Sequence, residues 1–318
     1  METRHDSVLL TEAIERLAVQ EGDTVVDATI GGAGHFVALM KVLGPKGTLV
    51  GIDADHDAVE RARVAVNELK GTELPRVELV EDNFSNLASI LAQTGAASPN
   101  RILFDLGWSS FQLTTGKGFS FRADEPLLMT YGTPETSETT AADLVNHLSE
   151  TSLADMIFSL GEERFSRGIA KSIVAARNEA PITSTFALVE AIEAGVPAWY
   201  RHRKLHPATK TFQALRIAVN NELGALRSGL STALATLAPE GRIAVITFHS
   251  IEDRIVKGMF RDAAYAGQGT LVSKKPIVPS AEELLRNPRA RSAKLRVFES
   301  VERGNSSFIS KSLTSLYA

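Results

Sequence analysis

The 318-residue sequence contains no cysteine. That absence removes disulfides, thiolate metal sites and thiolate nucleophiles together. Long apolar runs are also missing, and nothing approaches the roughly 20 residues that cross a bilayer. The N-terminal METRHDSVLL has no signal-peptide pattern, so a cytoplasmic chain without a membrane partner is expected. A formal net charge of -4 excludes the broadly basic surface of a generic polyanion binder. No cluster of metal-ligating spacing is visible, and scattered acids such as Glu252 and Asp253 do not make one, so no metal is expected.

What is present is a globular composition, 44% hydrophobic and 23% charged. Its length suits one large domain carrying an insertion, or two domains. The spacing predicts a helix over 8–20, with Leu9, Leu10, Ala13, Ile14 and Leu17 on one face. Short β-branched runs at Thr24–Ala28, Thr48–Ile52, Val77–Val80 and Arg101–Asp105 then alternate with helical segments over 36–42, 57–69 and 87–93. Alternation of this kind implies a parallel sheet covered by helices. Between Phe111 and Lys210 no strand is legible, and helices are predicted over 141–160, 163–178 and 185–194. The α/β rhythm returns with a largely helical stretch over 211–237 and strands at Arg242–Thr247 and Lys294–Phe298. The expected fold class is α/β, a doubly wound sheet (1–110 with 211–318) interrupted by a mainly helical insertion at 111–210.

Open α/β sheets bind ligands beyond the carboxyl ends of their strands, where the strand order reverses. Here those ends carry Asp27-Ala28-Thr29-Ile30-Gly31-Gly32-Ala33-Gly34-His35, then Ile52-Asp53, then Asp82-Asn83-Phe84, then Asp105. Glycines allow close backbone approach, and the following helix offers free N–H groups. Asp53 is placed to accept hydrogen bonds from two ribose hydroxyls, and Phe84 to face an adenine. A dinucleotide would use the same geometry, but its third fingerprint glycine is replaced by Val37. The pattern favours S-adenosylmethionine, with Asp27 orienting the turn toward the methionine end.

Methylation of pyrimidine carbon 5 normally begins with a cysteine thiolate, which this chain lacks. The acceptor is therefore expected to be a nitrogen or oxygen. An exocyclic amine needs a group that accepts its N–H and stabilises the developing charge. Asp105 can do this, or can instead hold the donor's amino group. Trp108, Phe111, Phe119 and Phe121 offer either stacking for a splayed base or cement between the insertion and the sheet. His249, in Phe248-His249-Ser250-Ile251-Glu252-Asp253 after the fifth strand, is a candidate for organising the active site or substrate. Two stretches free of acids, 201–210 with four Lys or Arg and 286–296 with five, suit a local anionic partner.

Several segments together resemble the bacterial RsmH (MraW) family of ribosomal RNA small-subunit methyltransferases. They are His5–Leu10, the Asp27–His35 turn, DLGWSSFQ at Asp105–Gln112, GEERF at Gly161–Phe165, KTFQALRIAVN at Lys210–Asn220, FHSIEDRIVK at Phe248–Lys257 and Asn287–Val297. The resemblance implies a Rossmann-like methyltransferase domain with an inserted helical domain that recognises substrate. It implies methyl transfer from S-adenosylmethionine to the exocyclic N4 of a cytidine in 16S ribosomal RNA. By motif position, donor contacts fall on Ala33, Gly34, His35, Asp53, Phe84, Asp105 and Gln112. The implied partner is the small ribosomal subunit or its 16S RNA, with the two basic stretches on phosphates. Oligomeric state is left open by the sequence, a homodimer being one arrangement. The chain departs from the family where Gly-Pro-Leu-Asp-Met-Arg-Met is usual, reading Glu125-Pro126-Leu127-Leu128-Met129-Thr130-Tyr131 instead. The residues also suit a methyltransferase for another nucleic-acid amine, or a non-catalytic RNA-binding protein of this fold.

Overall fold

The computed structural model describes residues 7–69, 73–107, 116–131 and 139–301. In chain order the elements begin α1 (Leu10–Leu17), β1 (Thr24–Asp27), α2 (Gly34–Leu43), β2 (Thr48–Asp53), α3 (His56–Glu68), β3 (Arg76–Glu81), α4 (Leu87–Thr94) and β4 (Arg101–Asp105). Six helices follow: α5 (Ala141–His147), α6 (Glu150–Gly161), α7 (Ser166–Glu179), α8 (Thr185–Ala194), α9 (Ala198–Arg201) and α10 (Ala208–Val219). The chain continues with α11 (Glu222–Thr236), β5 (Arg242–Thr247), α12 (Ser250–Tyr265), β6 (Gly269–Leu271), α13 (Ala281–Arg286) and β7 (Lys294–Ser300). Two compact units result, one from Met1–Gly107 with Gly224–Ala318 and the other from Trp108–Leu223.

The first unit is an α/β sheet in the order β3-β2-β1-β4-β5-β7-β6. Five strands are parallel, with Val26 opposite Val50 and Asp105 opposite Ile246. The central strands are largely apolar because they are covered on both faces, β4 burying Arg101 through Phe104 and β5 Ile243 through Thr247. The edge strand β3 instead mixes charged and apolar residues and buries none of them fully. One face buries Leu17, Phe36, Leu39 and Leu43 in a cluster with Val25, Leu49 and Ile246. Order reverses at β1, which has β2 on one side and β4 on the other. The carboxyl ends of β1 and β4 therefore flank the switch point.

The sheet is not wholly parallel as the alternation implied. β7 runs antiparallel between β5 and the short β6. β6 and helices α12 and α13 lie in a stretch for which no element is predicted from the sequence, although α12 carries Ile251, Ile255, Val256 and Phe260 at helical spacing. A buried ion cluster fixes α12 to β7. Arg296 Nε lies 2.6 Å from Asp253 Oδ1, and Lys294 Nζ lies 3.0 Å from Asp253 Oδ2. Burial alone would raise the Asp253 pKa, but the two cations hold it below the usual carboxylate range.

The second unit is helical. The helix predicted over 141–160 is two helices, because Ser149 caps α6 by accepting the Ser152 N–H at 3.1 Å. Helix α10, expected with the sheet, belongs to this unit. It packs on α6, where Gly161 leaves no room for a Cβ beside the Lys210 carbonyl, and it places Phe212 and Leu215 in the helical core. Phe119 and Phe121 join that core. Glu125–Tyr131 is woven into the same unit: Leu127 and Met129 are buried, and the Tyr131 hydroxyl donates to Glu222 Oε1 at 2.7 Å. Glu222 in turn pairs with Arg216 at 2.8 Å.

The Asp253 cluster yields the first prediction. Asp253→Ala strands Arg296, which is 6% exposed, and is expected to cost about 3–5 kcal/mol. Replacing Arg296 with Met in the same chain should recover most of that loss. Denaturant titration of the three proteins checks this; an unchanged midpoint in Asp253→Ala would show that the cluster is not a stabilising one.

Candidate active site at the carboxyl ends of the strands

The turn after β1 is built by two left-handed residues, Gly31 with φ 52° and Ala33 with φ 62°. Ala33 caps α2 without a side-chain hydrogen bond and is buried. Gly34, the first residue of α2, has a different reason to be glycine. A Cβ there would collide with Ser7 Oγ, so Ser7 lies against the turn.

Three carboxylates gather around this turn. Asp27, at the end of β1, is fully buried. Its Oδ1 accepts the Thr29 N–H at 3.2 Å, whereas Oδ2 has no hydrogen-bond partner among the described residues. Burial pushes its pKa up to about 7, against the lowering effects of His35 and the Thr29 N–H. Asp53, at the end of β2, braces the turn from beside. Its Oδ2 accepts the Gly31 N–H at 2.8 Å and its Oδ1 the Asp55 N–H at 2.9 Å. Burial raises its pKa to about 6. Arg61 secures the same turn, donating from Nε to the Gly31 carbonyl at 3.2 Å.

Asp105 ends β4. Its N–H donates to Thr29 Oγ1 at 2.6 Å, and its Oδ1 accepts the Gly107 N–H at 3.3 Å. Oδ2 lies 3.4 Å from Nδ1 of the buried His35. Burial pulls the His35 pKa down, yet the hydrogen bond and charge of Asp105, with the charge of Asp27, leave it raised. The side chains of β1, α2 and β4 thus meet in one ionic group. Neither the His35–Asp105 pairing nor the Thr29 hydroxyl contact was anticipated; no spacing rule links positions so far apart.

Phe84 opens a turn after β3 and meets Phe104 edge-on at 5.5 Å. Its other neighbour is Gly229, where any Cβ would strike the ring and the Phe84 carbonyl. His249 is the N-cap of α12: its Nδ1 accepts the Glu252 N–H at 3.3 Å, while Glu252 Oε2 accepts the His249 N–H at 3.4 Å and the Phe248 N–H at 2.9 Å. This reciprocal capping box uses both residues structurally. The rim nevertheless comes close to β4, since a Cβ on Gly107 would enter the Phe248 ring. Gln112, with Trp108 and Phe111, lies outside the described residues.

Comparison with known proteins agrees along nearly the whole chain. Residues 2–301 match the MraW methylase family. The ribosomal RNA small subunit methyltransferase H of Deinococcus radiodurans is 48% identical over 296 residues, covering 93% of this chain and 89% of that protein. Its counterpart in Lachnospira eligens is 42% identical over 317 residues, covering 95% and 99%. A solved rRNA methylase from Streptococcus thermophilus shares 12% identity and a TM-score of 0.41, covering 92% of this chain and 93% of that one. No described helix is long and apolar enough to cross a membrane. With its switch-point carboxylates and this likeness over 2–301, the chain belongs to the MraW methylase family.

Proposed function

We propose that this protein transfers a methyl group from S-adenosylmethionine to the exocyclic N4 of a cytidine in 16S ribosomal RNA. The observation that carries the reading is Asp105, fixed at the switch point through Thr29, Gly107 and His35. The residues fit the donor chemically. A buried carboxylate with one unsatisfied oxygen, Asp27, stands beside backbone N–H groups at the start of α2. Asp53 keeps lone pairs for a diol beyond the two N–H bonds it already accepts. Phe84 offers an apolar ring, and Ala33, Gly34 and His35 form the turn against which the donor would lie. Gln112 completes the proposed set.

The donor supplies an electrophilic sulfonium methyl group. Attack by the cytidine amine forms the N–C bond as the C–S bond breaks, and the amine then gives up one proton. Asp105 is the residue proposed to accept an N–H of that amine, localising its lone pair and opposing the charge that develops on nitrogen. His35 holds the Asp105 carboxylate in position through Nδ1. The helical unit is proposed to recognise the RNA. The basic stretches 201–210 and 286–296, including exposed Arg201, Arg203, Arg286 and Arg291, would contact phosphates. His249 is proposed to shape the rim of the site through its cap on α12 rather than to exchange protons.

Three outcomes are expected. Asp53→Ala should weaken S-adenosylmethionine binding by about 10- to 100-fold in calorimetry, the loss of one or two charge-assisted hydrogen bonds. Wild-type protein that binds NADH and not S-adenosylmethionine would end the methyl-donor reading. Asp105→Ala should abolish N4-methylcytidine in nucleoside mass spectrometry of small-subunit RNA, and Asp105→Asn should reduce it without unfolding the protein. Full activity in the Asn variant would show that carboxylate charge is unnecessary.

The third concerns pH. The folded pKa of Asp27, about 7, lies above its usual 3.8. Its contribution to stability is therefore whole below about pH 4 and lost as pH rises to about 7. Asp27→Asn should raise the ligand-free Tm at pH 8 by a few degrees, flatten the wild-type decline between those limits, and lose donor affinity. A variant less stable than wild type at pH 8, with the decline intact, would refute this account of Asp27.

A further inference from the structure

The helical unit exposes aromatic surface in one place where it also concentrates cations. Trp199, on the short helix α9, is 56% exposed. Its indole stands perpendicular to the Tyr200 ring at 5.7 Å and nearly so to Phe165 at 6.0 Å. The Arg164 guanidinium lies 4.7 Å from the centre of Phe165, 4.9 Å from Trp199 and 5.5 Å from Tyr200. On the far side Arg203 lies 5.2 Å from the Tyr200 ring. Among the described residues Arg164 makes no ion pair, so its charge stays available.

The arrangement is rigidly supported from below. Tyr200 is buried, and its hydroxyl donates to Glu163 Oε2 at 2.7 Å. Glu163, also buried, accepts the Phe165 N–H on its other oxygen at 2.9 Å. Burial and the Glu163 hydrogen bond push the Tyr200 pKa up to about 12, so the phenol remains a donor at every working pH. One acid thus fixes two of the rings and the start of α7. Around the rings Arg164, Arg167, Arg201, Arg203 and Lys204 are all exposed, against the single exposed acid Glu162 in 161–167 and none in 198–204.

Folding gains little from a tryptophan left more than half in water beside an unneutralised guanidinium. A ligand that brings a flat π face and negative charge together would use both. Aromatic rings and arginine planes are the surfaces on which unpaired nucleobases stack, and surrounding cations take the flanking phosphates. We propose that Trp199 and Arg164 form a stacking platform for an unpaired base of the RNA substrate, with Arg201, Arg203 and Lys204 on the adjoining backbone. This rests on the RNA reading above and adds a base-contacting subsite to what had been only a phosphate-contacting stretch.

The platform predicts that bases, and not charge alone, matter at this surface. The full-length protein is titrated with 16S RNA, with fluorescein-labelled single-stranded oligocytidylate, and with heparin, a polyanion without bases. Trp199→Ala should weaken both RNAs about tenfold or more, as expected for one lost stacking contact, while heparin and S-adenosylmethionine affinities hold. Trp199→Phe should keep most of the RNA affinity. With Trp108→Phe leaving Trp199 as the single tryptophan, oligocytidylate should quench its fluorescence. Wild-type RNA affinity in Trp199→Ala, or equal losses for RNA and heparin, would overturn the platform while leaving the RNA reading standing. A wild-type protein that binds neither RNA would overturn both.

Discussion

The constraint on which the methyltransferase sheet turns is the burial of Asp27 with one oxygen unanswered. A carboxylate taken out of water and left half-satisfied is costly unless its charge is neutralised or a ligand completes it. Here the neighbours give partial relief. Thr29 supplies one N–H, and His35, whose pKa Asp105 helps to raise against burial, works to lower that of Asp27. Thr29 is itself shared, its N–H serving Asp27 and its hydroxyl serving the backbone of Asp105. Turn, helix start and the end of β4 are therefore one electrostatic unit. The strands beneath it are packed, β1 burying Val25 through Asp27 and β4 Arg101 through Phe104.

That unit also explains why small residues sit where they do. Gly34 is small for Ser7, Gly107 for Phe248, and Gly229 for Phe84. In each case a neighbouring segment, not free space, occupies the position of the missing Cβ. Smallness at these positions sets how tightly the rim closes around the carboxylates. Glycine as a swivel explains only Gly31 in the turn, and Ala33 takes up a left-handed conformation without being glycine.

Much of this was legible in the sequence. The four N-terminal strands follow from their β-branched runs, and the switch-point residues follow from the rule that ligands gather at carboxyl ends. Asp27, Asp53 and Asp105 could be picked out as strand-end acids without coordinates. Their partners could not, since His35 meets Asp105 across 70 positions of chain and only the fold brings them together. The C-terminal third was read least well. β7 looked like another parallel strand because its apolar run says nothing about direction, whereas the helical spacing of Ile251, Ile255, Val256 and Phe260 in α12 was there to be read. His249 stood out because of where it lies, and the Nδ1 bond by which it caps α12 was not legible beforehand. The break between α5 and α6 turns on one serine. Trp199 gave no signal at all, because exposure is a property of the packed molecule.

The central pairing of the sheet has a consequence for how the molecule comes to exist. β4 ends at Asp105 and its partner β5 begins at Arg242, with the entire helical unit between them. β7, which seals the outer side of β5, ends only at Ser300. The helical unit draws on one continuous stretch of chain, whereas the sheet must wait for its last strands. On a ribosome making the chain from its N-terminus, the insertion is complete while β4 still presents an open edge. Once residue 223 has emerged the chain is thus a helical body joined to four of the seven strands, with the strand-end acids Asp27, Asp53 and Asp105 already in place and the far side of β4 the last part of the sheet to be covered.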